Sequence, residues 1–172
     1  FSAVFKHEIL FELKNVEGTQ VEVLAAITAP DTDTVEQDMC ARTVFMEEVD
    51  IGGMPFFSGS VSGFEFGALD GVVRFAQFDF YGTISSDGES IGGLEYVATM
   101  GVEEIADLLP DFGELDDFCV LAENLGIPCE PCPDEEDRTC ITIAAEHIQG
   151  IQVDVELEVI TEGRSHPDCE SE

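Results

Sequence analysis

Apolar and polar residues alternate strictly near both ends of this chain, and this period constrains the fold more than any other feature. Near the start, one parity holds Phe1, Ala3, Phe5, His7, Ile9, Phe11 and Leu13. Near the end, one parity holds Ile151, Val153, Val155, Leu157 and Val159. Because successive side chains of a strand point to opposite faces of a sheet, each stretch predicts a β-strand whose apolar face is buried.

Turn signals divide much of the intervening chain into further strands. Residues 16–19 predict a turn that leads into a second strand at residues 21–27. Asp70-Gly71 and Asp87-Gly88 are the strongest hairpin signals, since glycine accepts the positive φ that tight hairpin turns require. The remaining predicted strands are residues 42–49, 56–66, 72–84, 91–100 and 139–145.

Helical spacing occurs only in the middle of the chain, at residues 102–109 and again at residues 115–125, where Gly126 is placed as a C-terminal cap. The sequence therefore predicts a mainly β fold, an antiparallel sandwich or barrel of about eight or nine strands. We expect a single β domain over residues 1–161, with a helical, disulfide-tied insertion at about 101–140 and a C-terminal tail at 162–172.

The chain has six cysteines, four of them within the stretch CVLAENLGIPCEPCPDEEDRTC. Their even number favours disulfides formed in an oxidising compartment. Four thiolates could instead form a zinc site, although structural zinc usually uses two close pairs and only one is present. A redox function of the CxxC motif is disfavoured, because the motif follows a helix C-terminus and lies among carboxylates. Both surroundings raise the pKa of a thiol. The cysteines are Cys40, Cys119, Cys129, Cys132, Cys140 and Cys169.

Three pairings are possible for the four clustered cysteines if they form local bridges. We favour Cys119 with Cys129 and Cys132 with Cys140, which leaves Cys40 to meet Cys169 across the fold. The chain begins at Phe1, which we interpret as a mature N-terminus left after removal of an export signal. No run of 18 apolar residues occurs, so no membrane span is predicted. Together these features predict a secreted or cell-surface protein.

Thirty-eight acidic residues against six basic ones give a formal charge of −32. Such a surface repels phosphate backbones, which excludes nucleic acid as an expected partner. It favours cations, and its self-repulsion must be screened before copies can pack together. Two acidic loops are candidate calcium sites, although neither matches an EF-hand. They contain Asp134, Glu135, Glu136 and Asp137 in one loop, and Asp31, Asp33, Glu36 and Asp38 in the other.

No catalytic arrangement is recognisable. The three histidines are scattered, and the stretch from Gly59 to Gly63 places Val61 where a nucleophilic serine would be required. We therefore expect a protein that is not an enzyme. The N-terminal strand instead suggests self-assembly, because a strand with a free edge can add to the sheet of a neighbouring copy. The residues of this assembly strand are Phe1, Ala3, Phe5, Ile9, Phe11 and Leu13.

The alternative function rests on the thirteen phenylalanines, which are concentrated between residues 56 and 80. In a barrel they would line a cavity for an apolar small ligand.

The stretch Gly82-Thr-Ile-Ser-Ser-Asp-Gly88, residues 94–109 and the segment FCVLAENLGIPCEPCPDEEDRTC together resemble uncharacterised exported or cell-surface β proteins of deltaproteobacterial type. The resemblance covers residues 80–150 and depends on the cysteine placement and a hairpin. It implies an exported location and leaves the activity open.

Overall fold

Eight antiparallel strands and one helix organise the part of the chain that the computed structural model describes, which is residues 8–29, 35–68, 71–103, 105, 115–135, 137–161 and 169. The strands are β1 (Ile9–Glu17), β2 (Gln20–Ile27), β3 (Val44–Asp50), β4 (Phe56–Ala68), β5 (Gly71–Ile84), β6 (Ser90–Gly101), β7 (Glu130–Pro131) and β8 (Thr139–Ile151), and the helix is α1 (Leu115–Asn124).

The sheet has the order β1-β2-β3-β4-β5-β6-β8-β7 and is not closed into a barrel. The predicted mainly β antiparallel fold is therefore confirmed. The barrel, one of the two forms expected from the sequence, is wrong.

The sheet divides into two halves between β3 and β4. These strands share one Cα pair, Asp50 with Ser58, whereas β4 pairs with β5 along its whole length. Side chains from the two halves pack together in one core, so the arrangement is sandwich-like. The buried members of this core are Val21, Val23, Ala25, Val44, Met46, Val49, Phe57 and Phe80.

Glycine and phenylalanine lie opposite each other on β4 and β5, which explains their abundance there. Gly59 pairs with Phe80, and Phe57 pairs with Gly82. A Cβ added to Gly59 would lie 2.4 Å from the Phe80 ring, so only glycine leaves room for that ring. The ring of Phe78 continues the cluster, with its centroid 5.6 Å from that of Phe80. These phenylalanines fill the core of the sheet.

Helix α1 packs against β6 and β8 through Phe118 and Ala122. Its predicted glycine cap is confirmed: Gly126 has φ +81°, and the N–H of Ile127 donates to the carbonyl of Ala122 at 2.9 Å. These contacts form a Schellman motif, in which glycine takes the left-handed conformation. Of the other predicted helix, residues 102, 103 and 105 are helical and the rest lies outside the described residues.

The predicted first strand is confirmed from Ile9 onward, but the prediction of its buried face was wrong. Ile9, Phe11 and Leu13 are 55%, 41% and 54% exposed, whereas Leu10 of the other parity is 6% exposed. The reason is that Leu10 packs with Leu157 of the C-terminal segment. Phe1, Ala3, Phe5 and His7 lie outside the described residues.

The predicted last strand was also wrong. Strand β8 ends at Ile151, and residues 152–160 follow it without strand pairing. Several backbone groups of this segment bond to side chains instead of a neighbouring strand: the N–H of Leu157 donates to the Glu12 carboxylate at 2.8 Å. The N–H of Glu158 likewise donates to the side-chain oxygen of Gln37 at 2.7 Å. Alternation therefore marked an extended segment that lies over β1 and β2.

The turn predicted at Asp87-Gly88 is confirmed between β5 and β6, as a loop of residues 85–89. The N–H of Ser85 donates to the carbonyl of Ser90, and the N–H of Gly88 donates to the carbonyl of Ser85, both at 2.9 Å. The Ser85 hydroxyl lowers the pKa of the Asp87 carboxyl by hydrogen bonding to its charged form. Asp70 of the other predicted turn lies outside the described residues.

Candidate functional sites

Strand β1 forms one edge of the sheet among the described strands, since it pairs with β2 on one side and stands first in the strand order. Its exposed side chains Ile9, Phe11 and Leu13 lie opposite Ile27, Ala25 and Val23, three buried residues of β2. We call these three β1 side chains the edge row. The edge row thus extends the apolar face of the core to the surface of the molecule.

The opposite face of β1 is closed by the C-terminal segment. Glu12 lies at its centre, where Lys14 Nζ is 2.7 Å from one carboxylate oxygen and the N–H of Leu157 reaches the other. The hydrogen bond from Lys14 is the largest cause of a lowered pKa of the Glu12 carboxyl, and the N–H of Leu157 adds to it. The ionised carboxylate therefore ties the segment to β1 at neutral pH.

The other end of the sheet has a different edge. Strand β8 is covered at its start by the two residues of β7, one of which is Pro131. Further along, His147 takes φ +62° next to the exposed Glu146, and the pairing of β8 with β6 is irregular. An irregular backbone, a proline and charged side chains on an edge strand all disfavour its pairing with a strand of another chain.

All six cysteines form disulfides in the pairing that we favoured. The bridges join Cys40 to Cys169, Cys119 to Cys129 and Cys132 to Cys140, with Cα–Cα distances of 5.5, 5.7 and 5.0 Å. With no free cysteine, a four-thiolate zinc site is wrong. The redox interpretation is wrong as well, since Cys129 and Cys132 bond to different partners.

The acidic tip that we considered for calcium is engaged by arginine. Asp134 lies 3.8 Å from Arg74 and 3.7 Å from Arg138, while Glu135 and Asp137 are exposed. The described part of the chain contains no group of three side chains placed to hold a metal ion. Calcium binding stays a prediction, and a calcium titration followed by thermal unfolding tests it, because a bound ion raises the midpoint. Glu136, Asp31 and Asp33 lie outside the described residues; in the second loop Glu36 is exposed, and Asp38 accepts the N–H of Cys40 at 2.8 Å.

The outer face of β4, β5, β6 and β8 carries polar side chains that bond to one another. Ser60 and Gln77 both donate to Asp79, at 2.6 and 2.9 Å, and the hydroxyls of Thr99 and Thr142 lie 3.0 Å apart. Further along, Tyr81 donates to Glu95, and this bond raises the pKa of the tyrosine. These polar side chains therefore have hydrogen-bond partners within the chain. Sequence reasoning missed it, although alternating serines in β4 were a signal for it.

A groove lies beside the divergence of β3 and β4. It has a volume of about 470 Å³ and is lined by Arg42, Val44 and Phe45 on the β3 side and by Gly63, Glu65 and Arg74 on the other. Arg42 Nη1 is 3.2 Å from Glu65 Oε2 across it, and both side chains are about half exposed. Sequence reasoning missed this groove, because no local pattern shows that two successive strands separate.

The described residues give no support to a particular reaction. His147 is exposed at an irregular position of β8, and His7 and His166 lie outside the described part. Among the helices that are described, none is long and apolar enough to cross a membrane.

In comparisons with protein-family models, with curated proteins and with solved structures, no match to this chain was found. The resemblance of residues 80–150 to exported deltaproteobacterial proteins therefore stays a prediction.

Proposed function

We propose that this chain is a secreted or cell-surface, non-catalytic subunit that assembles with copies of itself into a filament or surface layer through its N-terminal strand. The observation that supports this proposal is the edge row, Ile9, Phe11 and Leu13, which lies exposed on an open sheet edge. Large exposed apolar residues grouped in this way mark interaction surfaces more often than scattered ones do.

An edge strand offers two kinds of contact to another copy. Its outward backbone N–H and C=O groups are available for pairing, and burying its apolar side chains removes them from water. Each fully buried side chain of this size contributes roughly 1.5–3 kcal/mol. If the strand meets a different surface of the next copy, the contact is head-to-tail and generates an open filament.

The charge of the chain sets the conditions for assembly. At −32, copies repel each other until salt shortens the range of the repulsion from about 30 Å at 0.01 M to about 3 Å at 1 M. A saline exterior supplies that screening. The three disulfides support such a location, because bridges of this kind persist in oxidising compartments.

The alternative function, binding of an apolar small ligand inside an extracellular β-barrel, is not supported by this fold. The sheet is not closed into a barrel, and Phe57, Phe78 and Phe80 pack on one another in the core. We therefore argue only the assembly function.

The test compares the full chain with an Ile9→Thr/Leu13→Thr variant across a series of salt concentrations. We expect the unsubstituted chain to form multimers as salt rises, seen by sedimentation velocity and negative-stain microscopy. The variant should need at least a tenfold higher protein concentration to assemble, because it loses apolar contact area. The two substituted side chains are exposed, so the monomer should remain folded. The matched control is Val97→Thr, an exposed strand position on the polar face. Monomers at every salt and protein concentration would reject the proposal.

A further inference from the structure

A row of side chains crosses the outer face of the sheet, with one member from each of four consecutive strands. Paired residues of antiparallel strands point to the same face, so the members of this row lie side by side. In order from β3 to β6 they are Asp50, Ser58, Tyr81 and Glu95. The serine is the smallest of the four, and it leaves an open space between its larger neighbours Asp50 and Tyr81.

Phe56 closes a third side of this space. Its neighbour Phe57 is buried in the core, and alternation along β4 therefore turns Phe56 outward with Ser58. Phe56 pairs with Thr83, two residues from Tyr81 on β5, so the two rings are diagonal neighbours. Diagonal neighbours on antiparallel strands lie about 7–8 Å apart, which is within reach of aromatic side chains. The depression that these residues line has a volume of about 170 Å³.

Hydrogen bonds hold the walls of the depression in place. The N–H of Phe56 donates to the carbonyl of Gly53 at 3.0 Å, and the N–H of Gly52 donates to Asp50 Oδ1 at 2.7 Å. The hydroxyl of Tyr81 donates to the next carboxylate of the row, which orients the ring on the opposite wall. The depression is therefore formed before a ligand enters, and less ordering opposes binding.

The depression combines aromatic rings with negative charge. Phe56 and Tyr81 are 64% and 54% exposed, so a ligand can reach both rings. The face of an aromatic ring attracts a cation that lies within about 6 Å of the ring centroid. Asp50 adds a carboxylate, and none of the described residues that line the depression is basic. The charge of −32 on the whole chain further raises the local concentration of cations.

We propose that this depression binds a small organic cation of the quaternary ammonium class. The methylated nitrogen lies between the rings of Phe56 and Tyr81, and Asp50 lies beside it. Such a nitrogen carries no N–H, so ring faces and one nearby carboxylate are sufficient partners. A calcium ion needs about six to eight oxygen ligands, and one oxygen of Asp50 already accepts the N–H of Gly52. The site belongs to β3, β4 and β5 and does not depend on the proposed assembly through β1.

The experiment is an NMR titration of the full chain with choline and, separately, with its neutral carbon analogue 3,3-dimethylbutan-1-ol. Salt at about 0.15 M screens the long-range attraction of cations to the acidic surface. We expect choline to shift the ring protons of Phe56 and Tyr81 saturably. Its affinity should exceed that of the neutral analogue by about tenfold, because two rings and a carboxylate favour the charge.

Local variants test the individual walls. Phe56→Leu and Tyr81→Leu should each weaken choline binding by roughly two- to fivefold, the effect of one exposed cation–π contact. The matched control is Phe45→Leu, which removes another exposed ring of β3. Asp50→Asn should weaken binding by roughly twofold or more, whereas Glu17→Gln, which changes the net charge equally, should not.

The unsubstituted chain alone can overturn the proposal, so the test survives a variant that fails to fold. If choline leaves the ring protons of Phe56 and Tyr81 unshifted, or the neutral analogue binds equally well, the site is wrong. If Phe45→Leu weakens binding as much as Tyr81→Leu does, choline binds elsewhere and the site is also wrong.

Discussion

The two halves of the sheet are built on the same antiparallel pairing, yet they are completed in different ways. In the half from β4 to β8, helix α1 covers one face, bonded polar side chains cover the other, and an irregular edge ends the sheet. In the half from β1 to β3, an extended segment from the far end of the chain covers one face, and the edge row remains exposed.

The difference is that polar side chains on the outer face of the half from β4 to β8 bond to one another, whereas the half from β1 to β3 exposes a row of apolar side chains at its edge. The half from β1 to β3 has an exposed apolar edge at β1. At its other edge, β3 pairs with β4 only through Asp50. Both features belong to the half that contains the proposed assembly strand. The following substitutions test whether the halves differ in stability as their construction indicates.

The largest expected effect concerns the disulfides. Replacing Cys40 and Cys169 with serine removes a bridge between residues 129 positions apart, and loop entropy predicts a loss of about 5 kcal/mol in the free energy of unfolding. Replacing Cys119 and Cys129 removes a bridge across 10 positions, for which about 3 kcal/mol is expected. Urea unfolding of both double variants measures the difference. Equal losses would show that the half from β1 to β3 depends no more on covalent closure than the half from β4 to β8.

The next effect concerns the packing of β4 on β5. Gly59→Ala should lower the free energy of unfolding by about 1–3 kcal/mol, because the added methyl would overlap the Phe80 ring. Gly92→Ala is the matched control, since its Cβ would come no closer than 3.6 Å to the Thr83 hydroxyl. Chemical denaturation compares the two variants. A Gly59→Ala protein as stable as the control would contradict the packing described for this half.

The smallest effect concerns the cover of β1. Glu12→Gln should weaken the contact with Leu157 by about 1 kcal/mol or less, because a neutral amide accepts a weaker hydrogen bond than a carboxylate, and solvent screens the charge of this partly exposed group. Hydrogen exchange of the Leu157 amide, with the exposed Glu17→Gln as control, measures this loosening. Unchanged protection in Glu12→Gln would show that the carboxylate does not hold the segment.

The same contact predicts a dependence on pH. The pKa of Glu12 is lowered in the folded protein by its bond from Lys14, so its contribution to stability is present above the ordinary glutamate value of about 4.3. That contribution is lost as pH falls through the lowered value in the folded state. In Glu12→Gln, the protection of the Leu157 amide should not depend on this titration.

Local features of the fold were predictable from the sequence because their causes are local. Glycine at residue 126 caps a helix through bonds to residues a few positions earlier, and the close spacing of Cys119 and Cys129 favours their bridge. The turn at Asp87-Gly88 depends on the positive φ of one glycine. Each of these signals acts within about ten residues, so composition and spacing were sufficient.

The covered face of β1 and the groove beside β4 were not predictable, because their causes are distant. Alternation separates two faces of a strand, but it does not say which face another segment will cover. Leu10 is buried because Leu157 covers it. The bond that holds this covering segment joins Leu157 to Glu12, 145 positions away in the sequence. Likewise, nothing in the residues of β3 indicates that only Asp50 will pair with β4.

The bridge between Cys40 and Cys169 also determines how this chain responds to mechanical force. If the chain is pulled from points before residue 40 and after residue 169, tension passes from one residue to the other through the two sulfur atoms. The 129 positions between them, about 430 Å of extended chain, cannot lengthen while the bridge is intact. Under such a load β1 and β2, which lie outside the bridged loop, can unravel, whereas the strands from β3 to β8 lie inside the loop and are shielded from the tension.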